Sequence, residues 1–183
     1  TSDYYRNQVG HPLGAFYGFV YEGLYKDADD LANSPQYGSN SDIGTLKMKD
    51  VSGPDGQPDG VISDAYDRTF IGDPTPDFLF GFSNSFQYKS FDLNISSAGS
   101  VGGQILTPGK WAYNTNMDGS RNLLAAALDH WRSEENPGSG IYPRTKSGTT
   151  AIGREVNSQW VENGTYLTVK NITVGYQVPL RKN

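Results

Sequence analysis

Residues 77–98 read DFLFGFSNSFQYKSFDLNISSA, and their alternation decides the fold. From Phe78 onward apolar side chains return at every second position, as Phe78, Phe80, Phe82, Phe86 and Tyr88. Leu79, Gly81, Ser83, Ser85, Gln87 and Lys89 take the positions between them. A period of two belongs to a strand whose two faces meet different surroundings. Leu79 and Asn84 are the two breaks in the pattern. After Lys89 and Ser90 it resumes, with Phe91, Leu93 and Ile95 alternating with Asp92, Asn94 and Ser96. A two-residue loop at Lys89 and Ser90 pairs Tyr88 with Phe91, Phe86 with Leu93 and Asn84 with Ile95. Both apolar rows then lie on one face, and Leu79, Ser83, Asp92 and Asn94 on the other. A slip of one residue would turn every side chain over, so the pattern specifies the register.

Two all-β architectures use such a hairpin. In a soluble sandwich the apolar row faces a core; in an outer-membrane barrel it faces lipid, and the small or polar row faces a wet lumen. Strand length separates them. Residues 77–88 make a strand of about twelve, against a usual five or six in soluble domains and about nine to eleven for a tilted membrane strand. The length favours a barrel segment.

Composition bounds the function. The chain has 183 residues, no cysteine, a net charge of -5 and many glycines and tyrosines. Disulfide frameworks and thiol chemistry are excluded. No apolar run reaches the roughly 18 residues of a membrane helix, but a barrel strand shows lipid only every second side chain. Lysines and arginines are scattered and outnumbered by acidic residues, so no basic stripe exists to track nucleic-acid phosphates. The chain starts at Thr1 without a methionine, and its last strand-like run stops at Leu180. Both ends are expected to be truncated.

Along the chain, residues 10–25 suggest a strand with Tyr17, Phe19 and Tyr21 on one face and Gly18, Val20 and Glu22 on the other. Residues 27–32 suit one helical turn, and the rest of residues 24–76 is expected to be a long loop. A second connection, residues 99–159, should carry a helical insert capped by Ser120, with Leu123, Leu124, Ala127, Leu128 and Trp131 at helical spacing over residues 121–131. Residues 160–180 form another long strand, with Ile172, Val174, Tyr176 and Val178 on one face and Asn171, Thr173, Gly175 and Gln177 on the other. Pro179 ends it. Trp160 and Tyr166 are candidates for an aromatic girdle or for loop packing. Connections as long as residues 24–76 and 99–159 suit the outer rim of a large barrel better than a compact soluble domain.

One stretch has the density of oxygen donors that a hard cation requires. In residues 50–67, Asp55, Gln57, Asp59, Gly60 and Ile62 match positions one, three, five, six and eight of a calcium loop. Position twelve falls on Tyr66, with a carboxylate one residue later at Asp67. The candidate ligands of a structural Ca²⁺ are therefore Asp50, Asp55, Gln57, Asp59, the Val61 carbonyl and Asp67, set against an ordinary Gly/Pro/Asp turn cluster.

Catalytic chemistry is missing. His11 and His130 stand apart, without metal-ligand spacing to another donor. No nucleophile elbow, phosphate loop or dinucleotide fingerprint occurs, and Glu134 with Glu135 suits a solvated surface. The acceptor tripeptides at Asn94, Asn163 and Asn171 fall largely within strands and are discounted. The chain is read as a non-enzyme.

Four collinear blocks together resemble one family. They are GHPLGAFYGF from Gly10, the Asp-rich loop running into DRTFIGDPTPDF from Asp67, the hairpin from Gly81 to Leu93, and WVENGTYLTVKNITVGY from Trp160 to Tyr176. The combination is similar to the late barrel of SusC/RagA-type TonB-dependent outer-membrane transporters. The family loop is usually a compact Asp-x-Asn-x-Asp-Gly run; here Ser52 stands at the Asn position and residues 54–58 lengthen it, making Asp50 and Asp55 rival first ligands. The resemblance implies that residues 1–183 are part of a barrel of about 22 strands with long extracellular loops. It also implies location in the bacterial outer membrane and a SusD-like surface lipoprotein partner. Coupling to TonB would run through a region outside this chain, and the cargo would be glycans or peptides. Loop aromatics such as Trp111, Tyr113 and Tyr142 could then stack on sugar rings, set against loop packing as the ordinary role of any one of them. The rival expectation is a secreted or surface carbohydrate-binding β-domain with a Ca²⁺-stabilised loop.

Overall fold

The computed structural model describes residues 4–110, 122–145 and 151–179. The chain divides into two compact units, Thr1–Asp73 with Leu106–Glu162, and Pro74–Ile105 with Asn163–Asn183.

The second unit is a three-stranded antiparallel sheet. Its first two strands, β6 (Pro76–Tyr88) and β7 (Phe91–Gly102), are the hairpin read from the sequence, with Tyr88 opposite Phe91, Phe86 opposite Leu93 and Asn84 opposite Ile95. Lys89 takes a positive φ of 54°, the conformation that lets the chain reverse in two residues. β7 runs on past the alternation that reaches Ser96, because β6 pairs it as far as Gly102 and a third strand, β10 (Tyr166–Tyr176), pairs along it from Ser100 to Phe91. The order is β10-β7-β6.

β10 is shorter than the single strand expected over residues 160–180. A separate short strand, β9 (Val161–Asn163), precedes it, and the two are parted at Gly164 and Thr165. β8 (Gln104–Leu106) lies at the other end of the same excursion. Trp160, a candidate girdle residue, is fully buried in the first unit and belongs to packing.

The first unit contains β1 (Tyr5–Arg6), β2 (Ala15–Gly18), β3 (Tyr21–Leu24), α1 (Ala28–Ala32), β4 (Leu46–Met48) and β5 (Thr69–Gly72). They form a β1-β2-β5 sheet and a β3-β4 pair. The one strand expected over residues 10–25 is two. It breaks after Gly18 because Phe19 donates its N–H to the Val156 carbonyl and accepts from the Ser158 N–H, leaving the sheet to pair with residues 156–158. Gly18 permits the approach, since a Cβ there would collide with the Val156 carbonyl. α1 starts at Asp27, whose carboxylate caps the Asp30 N–H at 2.7 Å, and ends at Asn33.

Residues 24–76 do not form a loose loop. Leu24, Leu46, Met48 and Ile62 from this stretch pack with Phe19, Trp131 and Ile152 in the core of the unit, with Tyr21, Tyr37 and Ile43 against it. Each fully buried large apolar side chain stabilises by about 1.5–3 kcal/mol, enough to hold a Gly- and Asp-rich segment in one shape. The expected helix over residues 121–131 is also corrected. Ser120 and Arg121 lie outside the described residues; beyond them the only regular element of that stretch is a 3₁₀ turn, Ala125–Asp129. Leu123, Leu124 and Leu128 are exposed, while Ala127 and Trp131 are buried. The stripe fails because the Trp131 N–H bonds to the Tyr142 carbonyl instead of continuing a helical ladder.

Candidate membrane face and carboxylate loop

Strand pairing places three rows on one face of the second unit. Phe78, Phe80, Phe82, Phe86 and Tyr88 of β6 lie beside Val101, Gly99, Ser97, Leu93 and Phe91 of β7. Ile95 of β7 joins the row opposite Asn84. On β10 the same face carries Leu167, Val169, Ile172, Val174 and Tyr176. The jump from odd to even numbers comes at Lys170, where the register shifts between Val169 and Asn171. A bulge of one residue reverses the parity of a strand, so Lys170 keeps Leu167 and Val169 on the face of Ile172 and Val174. Ring contacts run across it: Phe91 and Tyr176 have centroids 4.7 Å apart, and Phe78 and Phe80 6.0 Å.

The opposite face is small and polar, with Gly81, Ser83, Ser85 and Gln87 beside Ala98, Ser96, Asn94 and Asp92, then Thr168, Asn171, Thr173 and Gly175. Ser83 and Ser96 share a hydroxyl hydrogen bond of 3.3 Å. Leu79, the break in the sequence pattern, lies on this face in the row of Ser100 and Tyr166, which places Tyr166 at its edge.

The apolar face is uncovered. Phe86 is 58% exposed and Val174 71%, and Phe80, the most sheltered phenylalanine of its row, is still 36% exposed. Within the second unit the described strands form a single sheet with no second layer. Contiguous apolar surface of this kind calls for contact with hydrocarbon or another apolar body. No described helix is long and apolar enough to cross a membrane.

The carboxylate loop is in the first unit. Asp67, fully buried, is its organising group: Oδ1 accepts from the Val51 and Ser52 N–H groups at 2.8 and 3.3 Å, and Oδ2 from the Ser63 N–H at 2.7 Å. Its charge is thereby met by main-chain donors. Asp50, 9% exposed, accepts the Gly60 N–H through Oδ2 at 2.6 Å, while its buried Oδ1 has no donor. Asp59 bonds the Val61 N–H at 3.0 Å and packs against Gly53, where a Cβ would meet its Oδ2 at 2.7 Å. Asp55, Gln57 and Val61 are exposed. Asp50 and Asp67 are thus buried in the base of the loop, while Asp55, Gln57 and Asp59 are exposed. Among the described residues no three His, Cys, Asp or Glu side chains converge as a ready metal cage. Of the six candidate donors, Asp50 Oδ1 is the one that is buried without a hydrogen-bond partner.

Lying outside the sequence-derived site are two features of the first unit. Asp30 accepts from Lys47 Nζ at 2.6 Å and from the Lys26 N–H at 3.0 Å, which holds its carboxyl down at about 2. Glu155 is pushed above the ordinary carboxylate range, first by burial and then by the charge of Asp64. The sequence carried no signal for either, because both depend on neighbours distant in the chain. Trp111 and Tyr113 fall outside the described residues; Tyr142 is half-buried, bridged to His130. His11 stacks on Phe70 at 3.6 Å, and His130 Nδ1 lies 3.0 Å from the Ala127 carbonyl, both structural roles.

No family model matches the chain. TonB-dependent receptor P3 of Formosa agariphila is 34% identical over 93% of the chain, and TonB-dependent receptor P26 of the same organism 30% over 95%. The chain covers 16% of each. Among solved structures, one described as the RagAB peptide transporter superposes with a TM-score of 0.63 at 21% identity, over 94% of this chain and 17% of that one. The chain spans about a sixth of the length of these relatives.

Proposed function

We propose that this chain, a SusC/RagA-like fragment, supplies a run of barrel strands and folded loops to an outer-membrane receptor that imports oligomeric nutrients, glycans or peptides, with energy delivered through TonB. The observation that carries this reading is the two-faced sheet β10-β7-β6. Its exposed apolar face suits lipid and its small polar face suits a wet lumen, the division a transmembrane barrel requires. Strands of 11 to 13 residues are long enough to cross when tilted. Similarity to the two receptors and to the RagAB fold supports the same assignment. The tight turn at Lys89 and Ser90 is then periplasmic, and the connections over residues 24–76 and 99–159 lie on the extracellular side, where a SusD-like lipoprotein would meet them. The non-enzyme reading is supported by the relatives, which are named as receptors and a transporter.

The intact receptor, gently solubilised, should sediment with outer membranes and bring down a surface lipoprotein, and its deletion should impair growth on a complex glycan or peptide source. A receptor that stays soluble, without a lipoprotein partner or growth phenotype, would instead favour the secreted carbohydrate-binding domain.

For the carboxylate loop we propose a structural Ca²⁺ anchored on Asp50. Its support is the buried Oδ1 without a donor, a costly state for a carboxylate that a hard cation would relieve. Calorimetry of the intact receptor with CaCl₂, before and after Asp50→Asn, tests it. Absence of a Ca²⁺ signal in the parent, or its persistence in the variant, defeats the proposal.

A further inference from the structure

The first unit contains a cavity of about 490 Å³ that none of the preceding assignments uses. It is lined by Glu22, Gly23 and Leu24 of β3, by Lys26, by Asp30 of α1, by Lys47 of β4, by Trp131 and by residues 134 and 137–140. Its volume lies within the range of built ligand sites. We propose that this cavity is a subsite for a basic peptide side chain, a lysine or arginine of the imported oligomer, an inference that rests on the importer reading above.

The floor and the rim have different chemistry. Leu24 and Trp131, each more than nine-tenths buried, give the floor an apolar surface. The indole is only 8% exposed and has close neighbours. Gly44 is packed onto its ring carbons, where a Cβ would collide, and the Arg144 guanidinium stands 5.7 Å from the ring centroid. Trp131 is therefore ill placed to stack on a sugar ring, the usual role of an aromatic residue in a carbohydrate site. An aliphatic stem needs no stacking face and can lie along such a floor.

The rim sorts by charge. Asp30 and Lys47 neutralise one another at 2.6 Å, and Asp30 accepts further bonds from the Lys26 N–H and from Ser34 Oγ at 3.0 Å, so this pair has little capacity left for a ligand. That leaves the exposed Glu22 and Glu134 carboxylates against the single Lys26 ammonium, an excess of one negative charge. Glu22 and Glu134 have no ion-pair partner among the described residues. Glycines 23, 138 and 140 line the wall with main chain unshielded by side chains, each at positive φ. Gly138 must be glycine, because a Cβ would press on the carbonyls of Asp129 and His130. An apolar floor and a carboxylate rim together complement a long stem and a cationic head.

The test is calorimetry on the intact receptor in detergent with three probes: the peptide Ala-Lys-Ala-Lys-Ala, its Glu counterpart Ala-Glu-Ala-Glu-Ala, and neutral maltohexaose. The lysine peptide should bind measurably tighter than the glutamate peptide. Glu22→Gln combined with Glu134→Gln should weaken it about tenfold at low salt, and Lys26→Met should strengthen it. All three positions are exposed, so the fold should survive, and an unchanged thermal transition checks this. Equal affinity for the two peptides, binding of maltohexaose alone, or indifference of the lysine peptide to the double substitution overturns the subsite. Maltohexaose binding alone would do so while leaving the importer reading intact, whereas loss of membrane association defeats that reading itself.

Discussion

The ring of Phe80 covers Gly99, the residue directly opposite it on the neighbouring strand: a Cβ at position 99 would lie 2.5 Å from Phe80 Cζ and 2.6 Å from the Tyr166 carbonyl oxygen. Position 99 is thus closed from both flanking strands, by a side chain on one side and by main chain on the other. An aromatic ring laid over a cross-strand glycine fills the gap that the missing side chain leaves. This explains why Phe80 is the least exposed phenylalanine of its row.

Gly99→Ala should therefore destabilise the sheet by about 1–3 kcal/mol, the usual cost of overpacking, because the Phe80 ring can swing away but the Tyr166 carbonyl belongs to the β7–β10 ladder. Gly81→Ala is the control, since a Cβ there has only an ordinary contact at 3.6 Å. Thermal unfolding of the intact receptor in detergent should separate the two. Equal transitions for both variants would show that position 99 is not constrained.

The bulge at Lys170 gives a sharper expectation. Deleting the residue would leave Ile172, Val174 and Tyr176 in place and turn Leu167 and Val169 onto the polar face, or the reverse. Loss of the folded, membrane-inserted form is expected for the deletion, whereas Lys170→Ala should insert normally, since it keeps the extra residue. Heat-modifiable migration of the receptor on gels reports the folded fraction. Normal folding of the deletion would show that the bulge does not set the two-faced pattern.

Asp67 supports a third expectation. Asp67→Ala would strip acceptors from the Val51, Ser52 and Ser63 N–H groups around a buried site, and each buried donor left unpaired costs about 1–3 kcal/mol. Asp55→Ala, on the exposed tip, should be within about 0.5 kcal/mol of the parent. Amide hydrogen exchange gives the specific readout: protection at residues 51, 52 and 63 should fall in Asp67→Ala and hold in Asp55→Ala. Unchanged protection at those three amides would refute the organising role.

How much of this was legible in the sequence depends on the range of the interaction. The hairpin register could be read because Phe78 to Ile95 encode it locally, through a period of two and a two-residue turn. The bulge left a trace as well: apolar residues sit at odd numbers through Val169 and at even numbers from Ile172. By contrast, Leu46, Met48 and Ile62 are isolated apolar residues in a Gly- and Asp-rich stretch, and their shared core with Phe19 and Trp131 has no periodicity to announce it. The Leu123, Leu124 and Leu128 spacing suggested a helix that the Trp131–Tyr142 pairing overrides. In the carboxylate loop the acidic residues were visible, but the three shortest bonds to Asp67 come from backbone groups, which every residue except proline carries alike. The cavity behind β3 was invisible for a related reason, its lining being drawn from chain positions more than a hundred residues apart.

The Asp30–Lys47 pair makes the acid behaviour of the first unit testable. Hydrogen bonding to Lys47, then to the Lys26 N–H, holds the Asp30 carboxyl at about 2, whereas an unfolded Asp titrates near 3.9. The folded state thus takes up this proton later than the unfolded state as the solution is acidified. Stability from the pair is fully present above about pH 4 and is lost as the pH falls through about 2. Asp30→Asn removes the titration, so the variant should be less stable at pH 7 by about 0.2–1 kcal/mol, the range of a solvent-accessible ion pair. That difference should persist at pH 5 and close progressively between pH 4 and pH 2. Thermal unfolding of both proteins across that range measures it. A gap that stays constant or widens on acidification would mean that the carboxylate of Asp30 does not carry the stabilisation.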